Sequence, residues 1–529
     1  MYKPSFSAKN RNMIIEQMST TEFDVLVIGG GITGAGIALD AASRGLKVAL
    51  IDMQDFAGGT SGRSTKLIHG GLRYLKQFDF KLVAEVGKER EIIHRIAPHL
   101  THPEPMLLPI VKGGSLGKFS TRIAMWIYEW MAGVKKEEGH KLLNREETEN
   151  AEPLLEKKNL LGGILFYEYR TDDARLTIEV LKEAAIRGVS ALNYTKAISF
   201  CYENNKITGA IVQDQITEQE YTLKSKYIVN ASGPWVDELD DLEIYKSPHK
   251  LQITKGVHIV VDHKNLPIKQ AVYFDALDKR MIFVIPREGK TYIGTTDTFY
   301  TGELKNPQIT VEDKEYLLRC VNTHFMGKPL APEDIESGWA GLRPLIRKRG
   351  KGPSEISRKD ELFESESGMI IIAGGKLTGY RRMAERVVNL IAKKINTQPN
   401  KKIGSCITDK ISLSGKEFSS DYDFQKFNND FLSNGSEHGL SQKESELLVY
   451  RYGYHALKIL AIIENLNKIE QNELPVLLRA QIHYCIEHEM CMNADDFFTR
   501  RTGMSYFDVE SANQNKQMVK EYILNLIHQ

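Results

Sequence analysis

Cysteine is scarce in this 529-residue chain. The five present, Cys201, Cys320, Cys406, Cys485 and Cys491, are odd in number and widely spread, which excludes a disulfide framework and fits a reducing compartment. Net charge is nearly absent too: 70 basic side chains stand against 69 acidic ones, so no overall field would hold nucleic acid, and any basic site must be local. No uncharged apolar run approaches the roughly 18 residues of a spanning helix, which leaves peripheral contact as the expected relation to a membrane. Residues 1–22 carry Lys3, Lys9, Arg11 and Glu16 and lack the apolar core of a signal peptide, so the chain is expected in the cytoplasm. Internal repeats and low-complexity tracts are absent as well. What remains, 42% hydrophobic and 26% charged, is ordinary globular composition at a length that suggests two or three domains.

Residues 23–28 form an apolar, β-branched run that stops at three glycines, the pattern of a buried strand. Residues 40–45 close a short helix, with Gly45 as its stop, and residues 47–51 give a second strand ending at Asp52. Together they make a βαβ unit that opens a dinucleotide-binding fold. Within it Gly29 permits the tight turn, Gly31 lets a pyrophosphate approach backbone N–H groups, and Gly34 lets helix pack on strand. The helix N-terminus faces the pyrophosphate with its positive end, and Asp52 is placed to accept from ribose hydroxyls.

Two later segments repeat the strand-into-glycine form: YIVNASGPW at 227–235 and MIIIAGGKLTGYR at 369–381. If they join the same sheet, the dinucleotide domain is discontinuous and the intervening sequence forms a second domain. That sequence includes MIFVIPREGKTYIGTTD at 281–297, two extended runs flanking a hairpin turn at 287–290, so its sheet is expected to be largely antiparallel. Beyond residue 401 a Ser, Asn and Asp-rich stretch at 413–436 reads as a linker, followed by helical spacing at 444–466, 475–490 and 517–527. The fold class is therefore α/β. The expected division is a polar leader at 1–22, a Rossmann-like cofactor domain at 23–80, 160–250 and 345–400, and an antiparallel-sheet cap domain at 81–159 and 251–344. A linker region at 401–436 then leads to a C-terminal α-helical domain at 437–529. The fingerprint alone does not separate FAD from NAD. Ser232 and Gly233 in the second glycine segment, and Gly374 and Gly375 in the third, favour FAD: backbone amides at the start of another helix would stabilise an anionic flavin edge, an element a nicotinamide enzyme does not need.

With these residues in view, the chain resembles the FAD-dependent glycerol-3-phosphate dehydrogenases of respiratory metabolism. The matching stretches are VIGGGITGAGIALDAASRGLKVALID, STKLIHGGLRYL, TDDARL, VNASGPW, TKGVHIVV, FVIPREGKTYIGTTD, AGLRPL and GGKLTGYRRMAE, in family order from residue 25 to 386, and more loosely HEMCMNADDFFTRRT. The resemblance implies FAD as cofactor, sn-glycerol 3-phosphate as donor, dihydroxyacetone phosphate as product, and a membrane quinone as acceptor. It also implies a peripheral place on the inner face of the cytoplasmic membrane and a homodimer. Two features depart from the family pattern: Asp52 stands where Glu is common, and a leader of about twenty residues precedes the fingerprint strand.

Oxidising a secondary alcohol requires loss of the hydroxyl proton and transfer of the carbon-bound hydrogen as hydride to flavin N5. Arginine suits the phosphate clamp because its planar fork presents paired donors. By resemblance, Arg343 and Arg358 are expected near the phosphate and Arg73, with Tyr74, near the substrate oxygens. Lys376 is expected at the pocket floor beside the flavin, with Leu377 and Thr378 as cofactor contacts. His258, alternating with apolar residues in GVHIVV, is the expected base, against the commoner role of a hydrogen-bonded strand histidine. Ser64, Thr65 and Lys66, in the polar loop with His69, are expected to contact the cofactor, though such a loop can also satisfy itself.

Other patterns carry less. His483, Cys485, His488 and Cys491 do not gather on one helical face, so no metal is expected. Residues 119–134 place Phe119, Ile123, Trp126, Ile127, Trp130, Met131 and Val134 on one side, suiting a membrane-interface helix or a buried contact equally. The alternatives on the same scaffold are an oxidase that reduces dioxygen and an enzyme oxidising amino acids or amines, against which HGGLRYL beside two further arginines argues. A non-catalytic flavin-binding module is the third.

Overall fold

The computed structural model describes residues 6–69, 80–114, 139–246, 250–276, 278–346, 360–397, 402–413, 415–418, 420–469 and 472–528. A strand that is apolar on both faces must be covered on both sides. Glu22–Ile28 meets that condition at the centre of an eight-stranded sheet, and Val25, Leu26 and Val27 have no exposed surface. It pairs in parallel with Val48–Ile51 on one side and Glu220–Asn230 on the other. Ser190–Leu192 extends the first side and Ile370–Ala373 the second, both in parallel. Glu361–Glu364 closes one edge antiparallel, and the hairpin Thr195–Glu203 and Lys206–Asp214 packs antiparallel on Glu220–Asn230. All three strand-into-glycine segments thus end on the same side of one sheet, as expected of a discontinuous cofactor domain. Helices Ile32–Ser43, Asp173–Ile186 and Tyr380–Asn396 cover it.

The second sheet has ten strands and is antiparallel except where Ala271–Asp275 meets Thr101–Val111. The hairpin turn falls where its sequence places it: Arg287 pairs with Lys290, and Glu288 and Gly289 take positive φ between them. One of the two longest pairings in this sheet joins Leu251–Asp262 to Ile335–Ile346, the other Thr101–Val111 to Leu160–Thr171.

Several boundaries differ from those expected of the sequence. Leu160–Thr171 and Leu67–Ile68, expected in the cofactor domain, are strands of the second sheet. Helix Phe80–Ile96, expected in the cap, sends Ile92, Ile93 and Ile96 into the cofactor-domain core. The polar leader contains the helix Arg11–Thr20, whose Ile14 and Met18, one turn apart, are buried. The stretch expected to be a linker holds the helix Asp421–Glu437, capped by Ser420. Its Phe424, Phe427 and Phe431, spaced three and four apart, pack into the C-terminal core, a stripe that the polar residues around it conceal. The helical run at 444–466 is two helices, Gln442–Tyr452 and Ala456–Ile469, broken at Gly453, whose φ is 57°. Among the described residues no helix is long and apolar enough to cross a membrane.

Candidate active site

The turn after Glu22–Ile28 is built on close backbone approach. Gly29 has φ 115°, and a Cβ there would lie 2.5 Å from Ala231 O; on Gly34 it would lie 1.8 Å from Gly29 O. These two contacts require glycine, and they press the helix Ile32–Ser43 and the strand end Asn230 onto the fingerprint. Gly31 caps that helix, and Ile32 N donates to Ser61 Oγ at 2.9 Å. Asp52 Oδ2 accepts from Gly30 N at 2.7 Å and Oδ1 from Gln54 N at 2.8 Å, so the carboxylate also fixes the turn it was expected to serve only as a ribose acceptor. Desolvation outweighs these amide bonds and pushes Asp52 up to about 7.

A cavity of 450 Å³ opens over this turn. Gly29, Gly31, Asp52, Ser64, Ser232, Gly233, Gly374, Gly375, Lys376 and Leu377 all face it. A concave wall of glycines at a helix N-terminus, with a carboxylate at one end, fits a dinucleotide, and no bulky side chain fills the cradle.

A second cavity of 220 Å³ lies against the first, lined by Arg63, His69, Arg280, Arg343, Lys376 and His258 among others. Thr60, Ser64, Pro344, Gly375, Lys376 and Leu377 line both. The second sheet supplies its floor. The register pairs His258 with Trp339, Gly256 with Gly341 and Thr254 with Arg343, so these side chains share one face. Gly256 leaves room for the arginine: a Cβ there would meet Arg343 Nη2 at 2.1 Å. The guanidinium bonds Asp297 Oδ1 at 3.1 Å and Thr295 Oγ1 at 3.0 Å, which fixes the plane of its fork. His258 stacks on Trp339, ring centroids 4.8 Å apart, and its Nε2 lies 3.0 Å from Thr65 Oγ1 while Nδ1 has no partner among the described residues. Burial, then the charges of Arg343 and Lys66, hold the imidazole well below its usual range, so it is neutral. Tyr273 and Phe283, stacked at 4.1 Å, form an apolar wall.

The structure therefore brings His258, Arg343, Lys376, Ser64, Thr65, Thr378 and the glycine segments together. Lys66 is a correction. It lines neither cavity; with φ 56° its side chain turns inward, and Nζ meets Asp173 Oδ1 at 2.6 Å in a buried pair. Gly34 acts from behind the turn. Arg73, Tyr74 and Arg358, and residues 119–134, lie outside the described residues. Arg63, Arg280, Thr295 and Asp297 went unassigned in the sequence; the run GTTD after a strand was a visible signal for Thr295 and Asp297, and no local pattern marks Arg63 or Arg280. His483 meets Tyr522 Oη at 2.9 Å and Cys485 and Cys491 are buried; among the described residues no cluster could hold a metal.

Two family models match the chain: FAD dependent oxidoreductase over residues 24–380 and the C-terminal domain of alpha-glycerophosphate oxidase over residues 406–527. The chain is 48% identical over 524 residues to the aerobic glycerol-3-phosphate dehydrogenase of Bacillus subtilis, covering 99% of this chain and 94% of that one. It is 47% identical over 525 residues, with the same coverage, to the protein of that name from Staphylococcus saprophyticus. Among solved structures, the glycerol-3-phosphate dehydrogenase of Bacillus halodurans complexed with FAD matches with TM-score 0.85 and 43% identity, over 99% of this chain and 94% of that one. The L-alpha-glycerophosphate oxidase of Mycoplasma pneumoniae with FAD bound shares the fold, with TM-score 0.58 and 18% identity over 73% of this chain and 97% of that one.

Proposed function

The chain belongs to the FAD-dependent glycerol-3-phosphate dehydrogenase family, and on that premise we propose that it oxidises the secondary alcohol of sn-glycerol 3-phosphate to dihydroxyacetone phosphate. The observation that carries this reading is the junction of the two cavities: a dinucleotide cradle opens onto a cation-lined chamber across Gly375, Lys376 and Leu377. FAD, when bound, supplies a two-electron acceptor for the hydride that leaves carbon. Gly29, Gly31, Asp52, Ser232 and Gly233 would hold its adenosine and pyrophosphate side. Ser64, Gly374, Gly375, Leu377 and Thr378 would hold the side nearer the chamber.

In the chamber, Arg343 presents a guanidinium pre-set by Asp297 and Thr295 to the substrate phosphate, with no reorientation on binding. Lys376, on the wall common to both cavities, offers positive charge where negative charge accumulates during reduction. As the C–H bond breaks and the carbonyl forms, the hydroxyl proton passes to a chamber imidazole. His258 is neutral and so able to take it, with Nδ1 the ring nitrogen that has no partner among the described residues. A second reading gives the proton to His69, favoured because its ring is half-buried in the same chamber whereas His258 is 2% exposed.

Anaerobic addition of sn-glycerol 3-phosphate to the purified flavoprotein should bleach the flavin band, while glycerol and amino acids should not. Absence of bleaching at full FAD occupancy would sink the substrate assignment. His258→Asn and His69→Asn, compared for the pH dependence of the bleaching rate, identify the base: the variant that loses the dependence has lost it. The acceptor is proposed to be a membrane quinone, reached by peripheral contact on the inner face, consistent with relatives named aerobic. Reoxidation of the bleached protein by a soluble quinone, much faster than by dioxygen, is the expected result; the reverse order would favour an oxidase, the activity that names the C-terminal family model.

A further inference from the structure

The leader and the C-terminal domain each hold a loop behind one wall of the cofactor cavity. Residues 52–54 and 195–197 form the wall there, and Asp52, Met53, Gln54, Thr195, Lys196 and Ala197 face the cavity. The two loops are tied to each other, Thr195 N to Asp52 O at 2.7 Å and Tyr194 N to Gln54 O at 2.9 Å. Arg11, 5% exposed, grips the second loop from behind. Its guanidinium donates to Asn193 Oδ1 at 3.2 Å, Tyr194 O at 3.3 Å and Thr195 Oγ1 at 3.3 Å, and pairs with Asp214 Oδ2 at 3.1 Å. One planar fork thus spans three consecutive residues, of which the last, Thr195, lines the cavity. Phe6 packs on Phe56 with ring centroids 5.6 Å apart, and Phe56 backs the fingerprint turn so tightly that a Cβ on Gly30 would lie 2.4 Å from its Cδ1.

The C-terminal domain grips the first loop. Arg501 bonds both oxygens of Asp55, at 2.8 and 3.0 Å, and both side chains lack exposed surface. Asn193 joins the two grips, donating to Asp55 Oδ1 at 2.9 Å and to Met490 O at 2.9 Å.

We propose that the leader is the inner half of a two-sided clamp that positions the adenosine wall of the cofactor cavity, with Arg11 as its positioning residue and Asp55–Arg501 as the opposing grip. The clamp touches no cofactor atom and acts through the loops at 52–56 and 193–197. It rests on the reading of this cavity as the FAD site, and its effect is retention of the cofactor rather than turnover.

Arg11→Lys in the full chain separates this from a structural role. Lysine keeps the charge beside Asp214 but has no fork to span Asn193 and Thr195. The expected result is a fall in melting temperature that is larger with FAD than without it, FAD release about fivefold faster, and ADP binding weaker by a similar factor. At saturating FAD the KM for sn-glycerol 3-phosphate should not move. Wild-type release and ADP affinity in the lysine variant would overturn the proposal, as would an equal fall in melting temperature with and without FAD. If Arg11→Lys does not fold, Phe6→Leu takes its place in the same measurements: faster FAD release supports the clamp, and wild-type release overturns it. Wild-type protein that takes up neither FAD nor ADP would overturn the cofactor reading itself, whereas uptake that the variants leave unchanged overturns the clamp alone.

Discussion

The two cavities differ in how they are made. The dinucleotide cradle is centred on one stretch of chain, residues 28–64, joined by the loop at 195–197 and by glycine seams from 231–235 and 374–377. The reaction chamber draws on the loop before residue 70, seven strands of the second sheet, the run after Gly294 and the third glycine segment. Backbone shape governs the first, so what matters is the absence of side chains. Cross-strand register governs the second, so what matters is which side chains the sheet brings opposite one another. Substitutions should therefore fail differently in the two places.

The largest effect is expected from Gly34→Ala. Its Cβ would lie 1.8 Å from Gly29 O, and forcing helix from strand should cost about 3 kcal/mol or more. Purified protein should then carry little flavin and melt lower; full flavin content would break the backbone account of the cradle. Next comes Arg343→Lys, which should lower kcat/KM about a hundredfold through loss of the paired fork while flavin content stays constant. A drop in flavin content would show that the two cavities are not separable at this residue.

A smaller effect concerns pH. Asp52 lies at about 7 in the ligand-free protein against 3.8 unfolded, so its contribution to stability is present below about 4 and is lost as pH rises through 7. Ribose hydroxyls donating to the ionised carboxylate reverse the preference, so FAD affinity should rise about fivefold between pH 6 and 8, and Asp52→Asn should flatten that rise in equilibrium titrations. The smallest expected change is from Ser61→Ala, which frees Ile32 N of its hydrogen bond and should alter FAD affinity by about twofold in either direction in the same titrations.

The same division explains what could be read from the sequence. Gly29, Gly31, Gly34 and Asp52 were legible because a strand, a turn and a helix adjacent in the chain impose their spacing. His258 was legible by strand alternation, and Arg343 through the resemblance of GLRPL to its family. Trp339 under the imidazole and the space left by Gly256 were not, because they follow from a pairing between segments about 80 residues apart, and Asp297 reaches the guanidinium from a third segment. Lys66 was misread because a positive φ in the middle of a polar loop redirects its side chain to Asp173, and nothing local announces that conformation. The helix Asp421–Glu437 was missed because its apolar stripe is three phenylalanines wide and polar elsewhere.

The segment Gly375, Lys376 and Leu377 faces both cavities. A partition that faces both ways has no side of its own, so a change made for one tenant is felt by the other. Divergence toward a different substrate is therefore channelled away from this partition and onto the opposite wall, where Tyr273, Phe283 and Arg343 can be exchanged without disturbing the neighbour. An engineer wishing to widen the substrate range inherits the same constraint: the sheet is negotiable, and the shared partition is not.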